Sequence, residues 1–177
     1  MEFDRTLQVL IHAICVFIVV CKLLGELDKS LSFQYHSAQI GSRTEKDSLM
    51  RIAGVGLDLV DVERVRNCLE RYGERFKGRV FTEKEVAYCD RYRYSYENYA
   101  SRFAAKEATL KALGIGKSRG VAWTDVEVTR NPGEAPKILL HGKAAEIAEN
   151  LAIVRLHVSL AHERDIAQAI VIAEQNE

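Results

Sequence analysis

The sequence has only four cysteines, Cys15, Cys21, Cys68 and Cys89, and they form neither a C-x-x-C pair nor a regular framework. Such spacing argues against a zinc site and against a disulfide scaffold, and the four read as free thiols of a reducing cytosol. Net charge is lacking too. The 25 Lys and Arg residues balance 25 Asp and Glu, so overall charge gives no reason to expect a polyanionic partner. No internal repeat or low-complexity tract is visible. No G-x-S-x-G elbow occurs, so His157 and Ser159, which share one face of a predicted strand, do not read as part of a hydrolase triad. Arg71, Arg75, Lys77 and Arg79 are interleaved with Tyr72 and Phe76, but no RNA-binding signature accompanies them and nucleic acid is not an expected partner. What is present is the balance of a globular protein, with 47% apolar and 28% charged residues. A chain of 177 residues suffices for one ordinary domain and is short for two.

Methionine is also scarce, occurring only as Met1 and Met50. Between them lies an apolar segment, Leu7 to Leu24, and then a polar stretch without a clear period. A bilayer span needs about 20 predominantly apolar residues. Gln8, His12 and Lys22 interrupt this one and leave only Ala13 to Cys21 as a continuous core, so a membrane anchor is not expected. A secretory signal opens with positive charge and closes on small residues, whereas Glu2 and Asp4 precede this run and Cys21-Lys22-Leu23 follow it. Regular strand and helix patterns begin directly after Met50. Residues 1–49 are therefore expected to lie outside the fold, as an extension that is dispensable or not translated, with the domain spanning 50–177.

After Met50, Ala53, Val55, Leu57 and Leu59 alternate with Gly54, Gly56 and Asp58, the period-2 pattern of a half-buried strand. Asp58 then points away from the apolar row. Asp61 is placed to cap a helix with the stripe Val62, Val65, Leu69 and Tyr72, and with Arg64, Arg66 and Arg71 opposite. Thr82 and Glu85 form a capping box for a second helix through Val86, Tyr88 and Cys89. A third helix is expected over Tyr96 to Leu113, with Tyr99, Phe103, Leu110 and Leu113 inward and Gly114 ending it. Trp123, Val126 and Val128 read as a strand, paired through a turn at Asn131-Pro132-Gly133 with Lys137 to Leu140. Lys143 to Leu151 reads as a short helix with Ala144, Ile147, Ala148 and Leu151 on one side. Val154 to Leu160 and Ile166 to Ala173 read as two paired strands. With no repeating βαβ unit, the expected class is α+β with a largely antiparallel sheet.

Chemistry concentrates in the third helix. Phe103, Glu107 and Lys111 fall on one stripe, with Arg102 and Lys106 as a neighbouring pair, so a carboxylate and cations crowd one helix edge. An exposed Glu107 to Lys111 ion pair is one reading of that edge. A divalent-cation and phosphate site is the other, because magnesium takes one or two carboxylates plus phosphate oxygens and water, and Asp58 could supply the second carboxylate.

The segments Gly56-Leu57-Asp58-Leu59-Val60-Asp61-Val62-Glu63-Arg64 and Arg102-Phe103-Ala104-Ala105-Lys106-Glu107-Ala108-Thr109-Leu110-Lys111-Ala112 resemble, in order, the two signature motifs of holo-acyl-carrier-protein synthases. The similarity extends through Phe81 to Glu85, Gly114-Ile115-Gly116 and His157 to His162, and covers Met50 to about Glu174; residues 1–49 have no counterpart in it. The resemblance implies a cytoplasmic 4'-phosphopantetheinyl transferase of fatty acid synthesis. It implies coenzyme A as donor, a serine of an apo-acyl carrier protein as acceptor, and 3',5'-ADP as the leaving product. Asp58 and Glu107 would bind Mg2+, and Lys111 would sit against the phosphates. Gly114 and Gly116 would admit the nucleotide, though a helix cap explains Gly114 equally well. His162 is read as a turn or nucleotide-contact residue. Arg64 and Arg71, seven residues apart on the first helix, would face the acidic carrier, and a subunit of this size resembles the family's homotrimers, whose active sites form between chains. A transferase for secondary-metabolite carrier domains is the alternative within the class, and a non-catalytic domain binding an acidic partner is the alternative outside it.

Overall fold

The structure is a computed structural model and describes residues 50–116 and 120–176; the extension 1–49 and its apolar segment lie outside the described residues. Strand β1 (Met50–Asp61) leads into α1 (Val62–Val80), α2 (Glu83–Cys89) and α3 (Ser95–Ala112). A single 3-10 turn (Trp123–Asp125) precedes β2 (Val126–Thr129), β3 (Lys137–Leu140), α4 (Gly142–Asn150), β4 (Ile153–Glu163) and β5 (Ile166–Asn176). The strands form a three-stranded sheet in the order β1-β5-β4 and a separate β2-β3 ladder. Every pairing is antiparallel, which makes the domain the α+β class that the pattern implied.

Local signals explain most boundaries. Asp61 caps α1 by accepting the Arg64 N–H at 3.0 Å. The Thr82/Glu85 box closes in both directions, at 3.3 and 2.8 Å. Helix α1 runs a full turn and more beyond Tyr72 because Gly73, at φ 49° and ψ −129°, supplies a kink that the helix passes through. Tyr72 is consequently exposed rather than part of the buried stripe, and Arg71 lies over its ring. Trp123 belongs to the 3-10 turn and not to β2. Leu151, expected on the inner side of α4, is exposed, while Ala144 and Ala148 are buried.

The largest correction concerns β1, whose apolar row is not its core face. Val55, Leu57 and Leu59 are 52%, 40% and 58% exposed, and it is Gly54, Gly56 and Asp58 that face α3. The reason is distance. A Cβ built on Gly56 would lie 1.8 Å from the Ala108 carbonyl oxygen, and one on Gly54 would lie 2.1 Å from that of Ala112. Helix α3 thus rests its alanines directly on the strand backbone. Ala104, Ala105, Ala108 and Ala112 of the helix and Ala167, Ala169, Val171 and Ala173 of β5 make this layer, all of them buried. Ten of the eighteen α3 residues are buried, far more than one amphipathic stripe contains, as expected of a helix covered on several sides.

No helix among the described residues is long and apolar enough to cross a membrane. Cys68 and Cys89 are free thiols, and burial pushes the Cys89 thiol up to about 12, which leaves it inert.

Because a methyl group at residue 56 has only backbone to push against, Gly56→Ala is expected to force α3 off the sheet. Overpacking of this kind costs on the order of 1–3 kcal/mol, a drop of up to about 10 °C in Tm for a domain of this size. Gly78→Ala, in α1 with open space around it, is the control and should hold or raise Tm, since alanine outperforms glycine in a helix. Thermal denaturation of the two variants beside the wild type makes the comparison.

Candidate functional site

The close approach of α3 to β1 brings together residues 53 positions apart in the chain. The Lys111 ammonium donates to Asp58 Oδ1 at 2.7 Å and to the Leu57 carbonyl at 2.9 Å. Asp58 is only 16% exposed at its side chain, whereas Lys111 remains half exposed. An ion pair with one solvated member contributes little to stability, about 0–1 kcal/mol, so the consequence of this contact is placement. Lys111 is anchored at the strand while its helix edge opens onto a groove. The expected Glu107 to Lys111 pair does not form, and Glu107 makes no ion pair among the described residues.

That groove is lined by Glu107, Leu110 and Lys111 of α3, by Ile115 and Gly116 just past its end, and by Val121 and Trp123 across from it. Trp123 lies against Phe103 with ring centroids 4.9 Å apart. One wall therefore carries a carboxylate and an ammonium, and the other is apolar and aromatic. A ligand with an anionic part and a planar or aliphatic part suits such a cleft. Gly116 is on its rim. Gly114, at φ +63°, forms the turn that ends α3, which explains it without a ligand, and its amide bonds the Lys111 carbonyl at 3.0 Å.

Arg102 and Lys106, expected beside Glu107 on the open edge, are buried instead. The Lys106 ammonium meets Glu85 at 2.8 Å and the Trp123 carbonyl at 3.0 Å, and also donates to the Val126 carbonyl. Burial draws the Lys106 pKa below its ordinary value, and the adjacent Glu85 carboxylate opposes that pull. Glu85 completes its bonding with the backbone N–H groups of Thr82 and Val128, at 2.8 and 3.0 Å. The Arg102 guanidinium lies 3.9 Å above the Tyr88 ring. Neither burial is visible from helical spacing, although Ala104, Ala105 and Ala108 around Lys106 are the signal that could have raised it.

His162 does not join the groove. On β4, its Nε2 is 3.5 Å from Glu97 in the first turn of α3. Fourteen residues of helix separate Glu97 from Lys111, a distance of about 20 Å. Arg64 and Arg71 do lie together: with the acidic Asp61 and Glu63, and with Asn67, Cys68 and Tyr72, they line an open groove on α1. Arg66, on the same helix, is taken by Glu70 at 2.8 Å. Sequence reasoning missed Leu110, Val121 and Trp123 as groove residues.

Of the two carboxylates singled out in the sequence, Glu107 lines the groove and Asp58 sits on β1 against the Lys111 ammonium. Among the described residues no group of three or more His, Cys, Asp or Glu side chains gathers. Two oxygen donors, with further positions left for water and phosphate, are what magnesium accepts.

Comparison with known proteins gives this arrangement a family. The profile of the 4'-phosphopantetheinyl transferase superfamily matches residues 54–171. The holo-[acyl-carrier-protein] synthase of Koribacter versatilis is 46% identical over 123 residues, covering 70% of this chain and 98% of that protein. The enzyme of the same name from Methylobacterium radiotolerans is 52% identical over 127 residues, 70% of this chain and 93% of its own. The crystal structure of Helicobacter pylori holo-[acyl-carrier-protein] synthase in complex with coenzyme A superposes with a TM-score of 0.59 at 29% identity, over 67% of this chain and 98% of that one. A match that spans β1 through most of β5, and that contains both Asp58 and the Glu107 to Lys111 edge, makes this chain a member of the 4'-phosphopantetheinyl transferase superfamily.

Proposed function

We infer that the protein is a holo-[acyl-carrier-protein] synthase, transferring 4'-phosphopantetheine from coenzyme A to a serine of apo-acyl carrier protein in fatty acid synthesis in the cytoplasm. The observation that carries this reading is the Lys111 to Asp58 contact beside a groove that Glu107 lines, Glu107 making no ion pair among the described residues. The serine oxygen attacks the β-phosphorus of coenzyme A and the pyrophosphate P–O bond breaks. Phosphopantetheine is left on the serine and 3',5'-ADP departs, the serine proton passing to solvent. Negative charge must be stabilised on the transferring and leaving oxygens during that exchange. Lys111 supplies a positive charge held at the strand edge, and the apolar Trp123 and Val121 wall excludes water from the reacting groups. Asp58 and Glu107 would hold Mg2+, which when bound neutralises phosphate charge as a Lewis acid. No enzyme nucleophile is required.

Asp58→Asn and Glu107→Gln remove charge without removing packing. Each is expected to lower kcat by two orders of magnitude or more, on the scale of losing a transition-state charge stabiliser, with an unchanged circular dichroism spectrum. The phosphopantetheine mass increment on apo-carrier, followed over time, measures it. Near-normal turnover in either variant dismisses that residue as a ligand.

Carrier docking is assigned to Arg64 and Arg71, whose shared groove supports the reading, because an acidic partner approaching two clustered guanidiniums gains both encounter rate and orientation. Arg64→Glu with Arg71→Glu is expected to raise KM for the carrier strongly, leave KM for coenzyme A unchanged, and flatten the salt dependence. If both constants move together, docking lies elsewhere.

A homotrimer with sites shared between chains is supported by two features. Val55, Leu57 and Leu59 of β1 pair in register with Ile172, Ile170 and Gln168 of β5, forming an exposed, mostly apolar sheet face of the kind that marks an interface. His162 is also remote from the groove of its own chain, and a neighbouring chain could present its copy. Residues 50–176 contain every described element, so a chain begun at Met50 is expected to fold, to stay active and to sediment at three times its mass. Leu57→Asp with Leu59→Asp should convert it to a monomer of low activity. A shortened chain that is insoluble returns residues 1–49 to the fold, and an unchanged sedimentation coefficient in the double variant removes this face as the interface.

A further inference from the structure

We propose that Lys106, with Glu85, is a positioning residue for the groove: the buried ion pair grips the backbone of the Trp123 to Val128 segment and so sets the wall that faces Glu107 and Lys111.

Both side chains are fully buried, at 0% exposure. An apolar pair of similar volume would fill the same space without the desolvation cost that two charges carry, so packing alone is a poor reason for them. What an apolar pair cannot do is hold backbone. An ammonium has three donors, and those of Lys106 go to Glu85, to the Trp123 carbonyl and to the Val126 carbonyl. The Oε1 of Glu85 accepts the Val128 N–H at 3.0 Å. Three backbone groups within six residues are thus tied to one ion pair. The tied segment begins with Trp123, which forms the groove wall, and Lys106 immediately precedes Glu107, which forms the opposite one. One side chain therefore couples the separation of the two walls to the helix that carries Glu107 and Lys111. Other contacts on this segment are the β2–β3 ladder, the His141 N–H to Asp125 carbonyl bond at 2.7 Å that continues it, and the Phe103 ring against Trp123. Antiparallel pairs bond alternately, so counting from Asp125 the ladder bonds fall at Glu127 and Thr129, and none of these contacts takes the Val126 carbonyl or the Val128 amide.

The test replaces the pair as a unit, Glu85→Leu with Lys106→Met, so that no lone charge is left in the core. Trp123 is the only tryptophan of the chain, so its fluorescence reports the wall directly. In a variant shown by circular dichroism to be folded, Trp123 emission should shift to the red and become more accessible to acrylamide. Resting on the transferase reading, kcat/KM for coenzyme A should fall on the order of 100-fold, the scale expected from a misplacement of about 1 Å. KM for the carrier should stay within twofold, because Arg64 and Arg71 line a separate groove on α1. A folded variant with native emission and wild-type use of coenzyme A overturns the proposal. Should the wild type itself fail to use coenzyme A, the transferase reading falls and Trp123 emission alone decides the positioning role. Should the double variant not fold, native-state hydrogen exchange of the wild type decides instead. Val126 and Val128 amides that open only together with those of α3 support the tie, and their opening while α3 stays closed overturns it.

Discussion

The contact on which the rest of this molecule depends is the approach of α3 to the backbone of β1 at Gly54 and Gly56. Helices normally stand off a sheet by the thickness of two side-chain layers. Here the strand contributes none at two successive inward positions, and the helix contributes alanine. The gain is not apolar area, since alanine and glycine bury little, but proximity. With the helix seated this low, a lysine on its last turn reaches a carboxylate on the strand, and the open edge of the same turn becomes one wall of a groove. A larger residue in any of these positions would lift the helix and separate Lys111 from Asp58.

Burying α3 on nearly every side has a cost that the structure meets with polar pairing. Ser101 and Thr109 return their hydroxyls to helix carbonyls at 2.8 and 2.7 Å, Arg102 rests on an aromatic face, and Lys106 is paired and hydrogen-bonded. The two hydroxyls are satisfied within α3 itself, whereas Arg102 and Lys106 reach neighbouring elements, which lowers the cost of burying polar groups. The result is a helix held from several directions, which beyond its first turn leaves only the arc of Phe103, Glu107, Leu110 and Lys111 open to solvent. Rigid placement of charge around a phosphate-bearing ligand is the chemical requirement of phosphoryl-group transfer, and the distribution of polar contacts along α3 serves it.

The same low seat explains the exposed apolar face of the sheet. Strand β1 must turn its glycines and Asp58 toward the helix, so its branched residues go to the opposite side, where β5 adds Ile170 and Ile172. Within a single chain nothing among the described residues covers them. The glycine face and the exposed apolar face are in this sense two consequences of one strand's seat against α3.

From the residues alone, most elements and their caps were determined, though not the length of α1 or the place of Trp123, because Asp61, the Thr82/Glu85 box and Gly114 act through hydrogen bonds and dihedral preferences that span only a few residues. The antiparallel α+β class followed from the order of periodic segments. Asp58, Glu107 and Lys111 could be singled out, since their chemistry is written in their side chains and the two motifs keep their order. Only the tertiary structure decided which side of β1 is inner. Alternation reports that two faces differ, but a glycine face becomes the core face when a helix happens to press on it. It alone decided that Lys111 pairs with Asp58 and not with Glu107, that Lys106 and Arg102 are buried, and that Trp123 forms a wall. Those outcomes depend on atoms brought close from distant parts of the chain, and helical spacing carries no information about what lies opposite.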